Sequence, residues 1–442
     1  MMSGSPSAAD VRRVGLASLM GTTIEYYDFF VYGTAAALVF GQVFFPNSNP
    51  LTGTLLSLAT FGVAFVARPL GGISFGHLGD RVGRKAALVT TLLMMGVATV
   101  AIGLVPSYGA IGIAAPILLV VLRFVQGIAL GGEYGGAVLM TVEHSPPGKR
   151  GFYSSWVQTG AQFGLIIANV VYLVVGSAMG DDAFLSWGWR IPFWVSSLLV
   201  ILGLMIRLRL EESPDFQALK ESNDILPAPV LVVFRHHMKE VLLIAGAAVG
   251  NSVTFYAATV FGLSYGATKG FSRNEMLVII IVAAAWVIAA SIFVGAQSDA
   301  FGRKPIFIMG NLAIAATVFG WMKAIDTGNQ AVVLIAYLVL LTGYSMTWGT
   351  IGVFFAEAFQ GAVRYTGLSL GFTIGVIVGG AVTPLVLTKL VADTSSAMPV
   401  VLWVAGSTIL SALCAIPMRQ IDDGVGGLGT TPSRTGRTAP QL

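Results

Sequence analysis

Gly76-His77-Leu78-Gly79-Asp80-Arg81-Val82-Gly83-Arg84-Lys85 stands between two long apolar runs, and Gly295-Ala296-Gln297-Ser298-Asp299-Ala300-Phe301-Gly302-Arg303-Lys304 repeats its pattern, G-x-x-x-D-x-x-G-R-K, 219 residues further on. A second pair agrees with the first: Glu143 and Arg150 stand seven apart in one half, and Glu357 and Arg364 stand seven apart in the other. Offsets of 219 and 214 for two separate motifs match within the variation of a loop, which makes this a duplicated chain.

The rest of the sequence says where the duplicate lives. Apolar residues make up 55% and charged residues 10%, with a mean hydropathy of +0.81, whereas soluble domains carry about 25% charged residues. Crossing hydrocarbon takes about 20 apolar residues, and twelve such runs start near residues 14, 51, 86, 111, 152, 191, 240, 275, 305, 331, 365 and 397. The expected fold class is an all-α membrane protein, with twelve transmembrane helices in two pseudo-symmetric six-helix bundles. The bundles fall at 14–206 and 240–418, with an N-terminal segment 1–13, a hydrophilic linker 207–239 and a disordered tail 419–442. The first apolar run is longer and more polar than a cleavable leader, so it reads as an uncleaved span. With one cysteine, Cys414, no internal disulfide forms.

Lysine and arginine placement orients the chain. With a cytoplasmic N-terminus, 18 of the 25 fall on the cytoplasmic side, so the positive-inside rule predicts both termini in the cytoplasm of a multi-pass cell-membrane protein. The slight positive charge is this topology signal, split over short loops, and nucleic acid is not an expected partner.

Ionisable side chains inside spans are costly and mark function. Counted at 1.5 Å per residue, Glu25 lies ~15 Å and Asp28 about 20 Å into the first span, and Arg123 ~15 Å into the fourth. All three come out near the midplane, while Glu133 and Arg68 come out near the cytoplasmic boundary. Glu25, Asp28 and Tyr32 share one helical face. Uncharged polar candidates for a cavity are Gln126 beside Arg123, Gln158, Gln162 and Asn169 in the fifth span, Asn251, Tyr256 and Tyr265 in the seventh, and Tyr344 and Trp348 in the tenth. His77, His144, His236 and His237 all fall in cytoplasmic segments, so a carboxylate must carry any transported proton: Asp28, Glu25 or Glu133. Burial favours the neutral form of a carboxyl and a nearby arginine the charged form. Asp28 or Glu25 beside Arg123 would therefore switch when an anion competes for the guanidinium, whose two-pronged fork suits carboxylates.

The loop motifs read as a cytoplasmic gate: Asp80, Arg81, Arg84, Glu143 and Arg150 in one half, and Asp299, Arg303, Glu357 and Arg364 in the other. Charge pairs there form when that mouth shuts and break when it opens. Gly127, Gly131 and Gly135, and likewise Gly367, Gly371, Gly375 and Gly379, recur every four residues and read as helix-packing stripes. No Walker A pattern, metal-ligand cluster or nucleophile-histidine arrangement occurs, so no enzyme activity and no cofactor are expected.

The charged turn resembles the loops between helices 2 and 3 and between 8 and 9 of the major facilitator superfamily. Within it, Glu25-Tyr26-Tyr27-Asp28-Phe29-Phe30-Val31-Tyr32-Gly33, Ala67-Arg68-Pro69-Leu70-Gly71-Gly72, Arg123-Phe124-Val125-Gln126-Gly127 with Gly131-Gly132-Glu133-Tyr134-Gly135-Gly136, and Trp187-Gly188-Trp189-Arg190-Ile191-Pro192-Phe193 resemble the metabolite:proton symporters. The resemblance covers about residues 14–418. It implies the major facilitator fold, alternating-access import of a carboxylate or zwitterion such as shikimate, 2-oxoglutarate, citrate, proline or betaine, and use of Asp28, Arg123 and Glu133 in charged motifs. Ala300 replaces the counterpart of Arg81, so the second gate is expected to be weaker. The tail lacks the coiled coil of the osmosensing branch. The expected partners are a small organic anion or zwitterion, protons and the bilayer, around a monomer. The alternative is a proton antiporter exporting a drug or metabolite, although Gly160-Ala161-Gln162-Phe163-Gly164 lacks the proline of such exporters. A sensor that kept the fold without transport is the third reading.

Overall fold

The computed structural model describes residues 8–81, 84–131, 138–139, 141–142, 145–146, 148–208, 229–359 and 364–420. Twelve long helices carry it. They are α1 (Ala8–Leu38), α2 (Pro50–Arg81), α3 (Arg84–Leu104), α4 (Ala114–Leu130), α5 (Arg150–Ala178) and α6 (Ile191–Leu208) in the first half. The second half has α7 (Met238–Tyr256, continued through a π-helical turn Ala257–Phe261 to Gly262–Thr268), α8 (Arg273–Phe301), α9 (Arg303–Asp326), α10 (Gln330–Ala356), α11 (Arg364–Val376, a π-helical turn Ile377–Ala381, then Thr383–Thr394) and α12 (Met398–Ala415). Nine helices among the described residues are long and apolar enough to cross a membrane, and shorter apolar helices lie at Val89–Leu104 and Ala114–Leu130.

The halves pack by the same plan. In the first, α1 lies on α5, α2 on α4, and α3 on α6 and α4; in the second, α7 lies on α11, α8 on α10, and α9 on α12 and α10. Each pairing maps onto its counterpart by a shift of six helices. The halves meet along α5 with α8 and along α2 with α11, which the same shift also exchanges. A hollow with two related seams results.

Glycines set how closely these helices approach. A Cβ on Gly127 would overlap the Ala64 carbonyl, one on Gly71 that of Ile128, and one on Gly131 that of Arg68, so α2 and α4 touch backbone to backbone. Gly371, Gly375 and Gly379 of α11 do the same against α7. In lipid, where apolar burial gives no drive for association, such close contact is what holds helices together. Gly127→Val is therefore expected to leave almost no monodisperse protein on gel filtration, whereas Gly320→Ala, with no neighbour within 4 Å, is expected to melt within a degree or two of wild type.

The charged turn is tighter than the sequence suggests. Asp299 belongs to the last turn of α8, Gly302 takes φ +87° in the left-handed region, and α9 starts at Arg303. In α11, Pro384 has no N–H to offer the Gly380 carbonyl, and the π-helical turn sits immediately before it. That turn bears on α2: a Cβ on Gly380 would lie 2.9 Å from the Phe65 ring, and one on Gly62 3.0 Å from the Ala381 carbonyl.

Candidate substrate-binding site

Between the bundles lie two adjoining hollows of about 30 Å³ each, which share Tyr26, Arg68, Ala161, Trp348 and Phe372. That is space for about two water molecules apiece. Their walls also bring together Gln158 and Gln162 of α5, Asn251 and Tyr256 of α7, and Ser369 of α11. Cross-bundle contacts close the space on both sides: the Trp348 indole donates to the Gln158 carbonyl at 3.0 Å, and Phe30 of α1 packs on Phe255 of α7 at 5.4 Å. The bundles are thus drawn in around a site too small, as it stands, for an organic acid.

Arg68 is the cation of this hollow. It is 6% exposed, lies over the Phe29 and Phe65 rings at 5.6 and 5.4 Å, and faces the Tyr26 hydroxyl. Its Nε, the Gln162 amide nitrogen and the Ser369 hydroxyl are all buried without a hydrogen-bond partner. Buried polar groups left unmatched cost roughly 1–3 kcal/mol each. Arg68 borders both hollows, Ser369 the first and Gln162 the second, so each offers an acceptor-rich ligand an unmatched donor beside the guanidinium.

Arg123 stands behind this layer. It is fully buried, donates to the Gln126 side-chain oxygen Oε1 at 2.9 Å, and lies over the rings of Phe29, Tyr32 and Phe61 at 4.5, 4.1 and 4.9 Å. The Phe29 ring therefore has Arg123 and Arg68 both against it. Tyr32 donates to the Thr60 hydroxyl at 2.6 Å. Neither Arg123, Tyr32 nor Gln126 lines the hollows, so the guanidinium open to a ligand is Arg68.

Asp28, also fully buried, makes no ion pair with Arg123. Neither of its oxygens has a hydrogen bond, and the hydroxyls of Ser196 and Thr99 face it. Gln126, which accepts from Arg123, donates to Thr99 at 2.7 Å, and Thr99 in turn donates to the Met95 carbonyl at 2.9 Å. Glu25 pairs with Arg207 at 2.8 Å. Arg207 lies in the last turn of α6, not in the linker, which puts Glu25 within two side chains' reach of that helix end. Glu133 lies outside the described residues.

Other expected polar groups bind one another. Asn169 accepts from Thr34 at 3.0 Å, Asn251 donates to Thr347 at 2.7 Å, and Tyr265 donates to Asp326 at 2.9 Å. Asn251 keeps its place on the wall, whereas Asn169 and Tyr265 serve helix packing and the opposite face.

On the face that carries both chain ends, Asp299 accepts from the Gly151 and Phe152 amides at 2.9 and 3.0 Å. One carboxylate of the second half thus caps the first turn of α5 in the other half, where the helix dipole favours negative charge. Arg303 holds Asp299 at 3.0 Å and Glu357 at 3.5 Å. The second-half motif therefore spans the bundle seam despite Ala300. Arg150 begins α5, with no ion pair among the described residues. Glu143 and the side chains of Asp80, Arg81, Arg84 and Arg364 lie outside the described residues. On the opposite face, Arg273 of α8 bonds the Gly176 carbonyl at 3.3 Å and Asp181 at 3.2 Å. Loss of a helix cap costs roughly 1–2 kcal/mol, a shift of about five- to thirtyfold between two conformations. In Asp299→Ala, a thiol introduced by Ser155→Cys at this seam, in a Cys414→Ser background, is expected to react several-fold faster with maleimide.

Tyr26, Arg68, Ser369 and Phe372 are wall residues that spacing alone does not assign. Arg68 is the instructive one. It stands near the end of the apolar run, but α2 continues to Arg81, and Arg68 is its nineteenth residue of 32.

A helical duplicate closed around a buried guanidinium defines a membrane transporter of the major facilitator fold, and comparison with known proteins agrees. The family profile "Sugar (and other) transporter" matches residues 14–228 and 230–416. The chain belongs to this family of transporters, which are not enzymes. It is 42% identical over 381 residues to the inner membrane metabolite transport protein YhjE of Escherichia coli K12, covering 84% of this chain and 86% of that one. It is 37% identical over 423 residues to the shikimate transporter of the same organism, covering 94% and 96%, and 33% identical over 420 residues to the proline/betaine transporter of Salmonella typhimurium LT2, covering 93% and 84%. A crystal structure of a D-xylose-proton symporter superposes with a TM-score of 0.74 at 19% identity, over 93% of this chain and 99% of that one, and shares the fold.

Proposed function

We propose that this transporter imports a small organic anion together with protons by alternating access, with both termini in the cytoplasm. The observation that carries the reading is Arg68, a buried guanidinium facing the central hollow beside the unpartnered donors of Gln162 and Ser369. Shikimate, proline and betaine, named for two relatives, all bear a carboxylate.

Asp28 is the proton carrier in this reading. It is a carboxylate with neither counter-ion nor hydrogen bond among the described residues, and a charge so placed is expensive unless protonated or matched. Glu25, held by Arg207, is the poorer carrier. Asp28 and Phe29 are neighbours on α1, and the Phe29 ring lies against both guanidiniums. A movement of α1 when an anion engages Arg68 therefore alters the surroundings of Asp28 and Arg123 in one step. Opening toward the cytoplasm breaks the Asp299 cap on α5; opening outward breaks the Arg273 contacts.

Uptake into proteoliposomes under an inward proton gradient, across monocarboxylates, dicarboxylates and betaines, tests this reading. Accumulation that collapses with an uncoupler supports it; gradient-driven export of the same solutes points to antiport and refutes it.

A further inference from the structure

We propose that Glu25, held by Arg207, sets the charge of the transported solute and makes the hollow a site for singly charged carboxylates. This rests on the reading of Arg68 as the anion site. Among the described residues lining the two hollows, Arg68 and Glu25 are the charged side chains. Arg68 has no carboxylate partner there, whereas Glu25 is fixed at 2.8 Å by Arg207, with both side chains 7% exposed. A monoanion matches the guanidinium. The second carboxylate of a diacid must stay in the same enclosed space, where it meets either the aromatic walls or the Glu25 charge. That second charge has no uncompensated cation to match it, which weakens binding roughly tenfold or more. By cancelling the Arg207 charge, Glu25 leaves Arg68 as the one uncompensated cation among the described residues lining the hollows, enough for one carboxylate and not for two.

Thermal shifts of the purified full-length chain test the proposal, with benzoate and cyclohexanecarboxylate as monoanions, succinate and 2-oxoglutarate as dianions, and glycine betaine as a zwitterion. Wild type is expected to half-saturate with a monoanion at about one tenth of the diacid concentration or less. Glu25→Gln adds one positive charge to the local sum and should shift that ratio about tenfold toward the diacids. The double variant Glu25→Gln/Arg207→Gln removes that added charge and should return the ratio, which a purely structural role for the pair would not do. Glu25→Asp keeps the charge and should keep the preference; should Glu25→Gln not fold, the wild-type and Glu25→Asp ratios decide.

Equal or tighter binding of diacids by wild type, a ratio unmoved in Glu25→Gln, or a double variant that fails to return overturns the proposal. So does tightest binding of betaine that Glu25→Gln abolishes, which would make Glu25 a cation site. Diacids bound by wild type as tightly as monoanions, with both lost in Arg68→Ala, would sink the charge limit and leave the anion reading standing. A wild type stabilised by no carboxylate sinks both.

Discussion

Arg68→Ala is expected to abolish accumulation of the substrate by loss of binding, with the protein still folded. Deleting one partner of a buried charged contact costs roughly 2–5 kcal/mol, about thirtyfold or more in affinity. The guanidinium lies over the rings of Phe29 and Phe65 and has no ion pair among the described residues, so its removal breaks no salt bridge. Arg68→Lys keeps the charge but loses the planar fork and its stacking, and should recover only part of the affinity. Titration of substrate-induced thermal stabilisation measures this directly. An unchanged midpoint in Arg68→Ala, with transport intact, would move the anion site elsewhere.

Asp28→Asn is expected to separate transport from its driving force. An amide fills the same volume and cannot carry the proton, and no hydrogen bond or ion pair of Asp28 is there to be lost. Accumulation driven by a pH gradient should fall at least about tenfold, while exchange of labelled for unlabelled substrate across equal pH, which needs no net proton movement, should persist within a few-fold. Loss of both together would make Asp28 a structural residue or a direct substrate contact.

What could be read from the amino acids and what could not divide along physical lines. Hydropathy reports lipid contact, so every helix begins within six residues of an apolar run, and the four-residue glycine rows mark the α2 with α4 and α7 with α11 contacts. The Gly295 to Lys304 motif points to Asp299, but its partner, the first turn of α5, belongs to the other half and is invisible to spacing. Counting along one helix does not find the partner of Glu25, which is Arg207 of α6, or the place of Arg68 between side chains of both halves. Arg123 bonds the Gln126 side chain, which donates to Thr99, and makes no ion pair with Asp28. Which way a side chain points around a helix of nearly uniform hydrophobicity is decided by neighbours distant in sequence.

The most direct test of the coupling is the external pH of lightly buffered proteoliposomes when a monocarboxylate substrate is added outside with no gradient imposed. Proton-coupled import through Asp28 predicts a transient alkalinisation outside, absent in Asp28→Asn. Substrate entry at wild-type rate with no pH change, or with acidification outside, would contradict it.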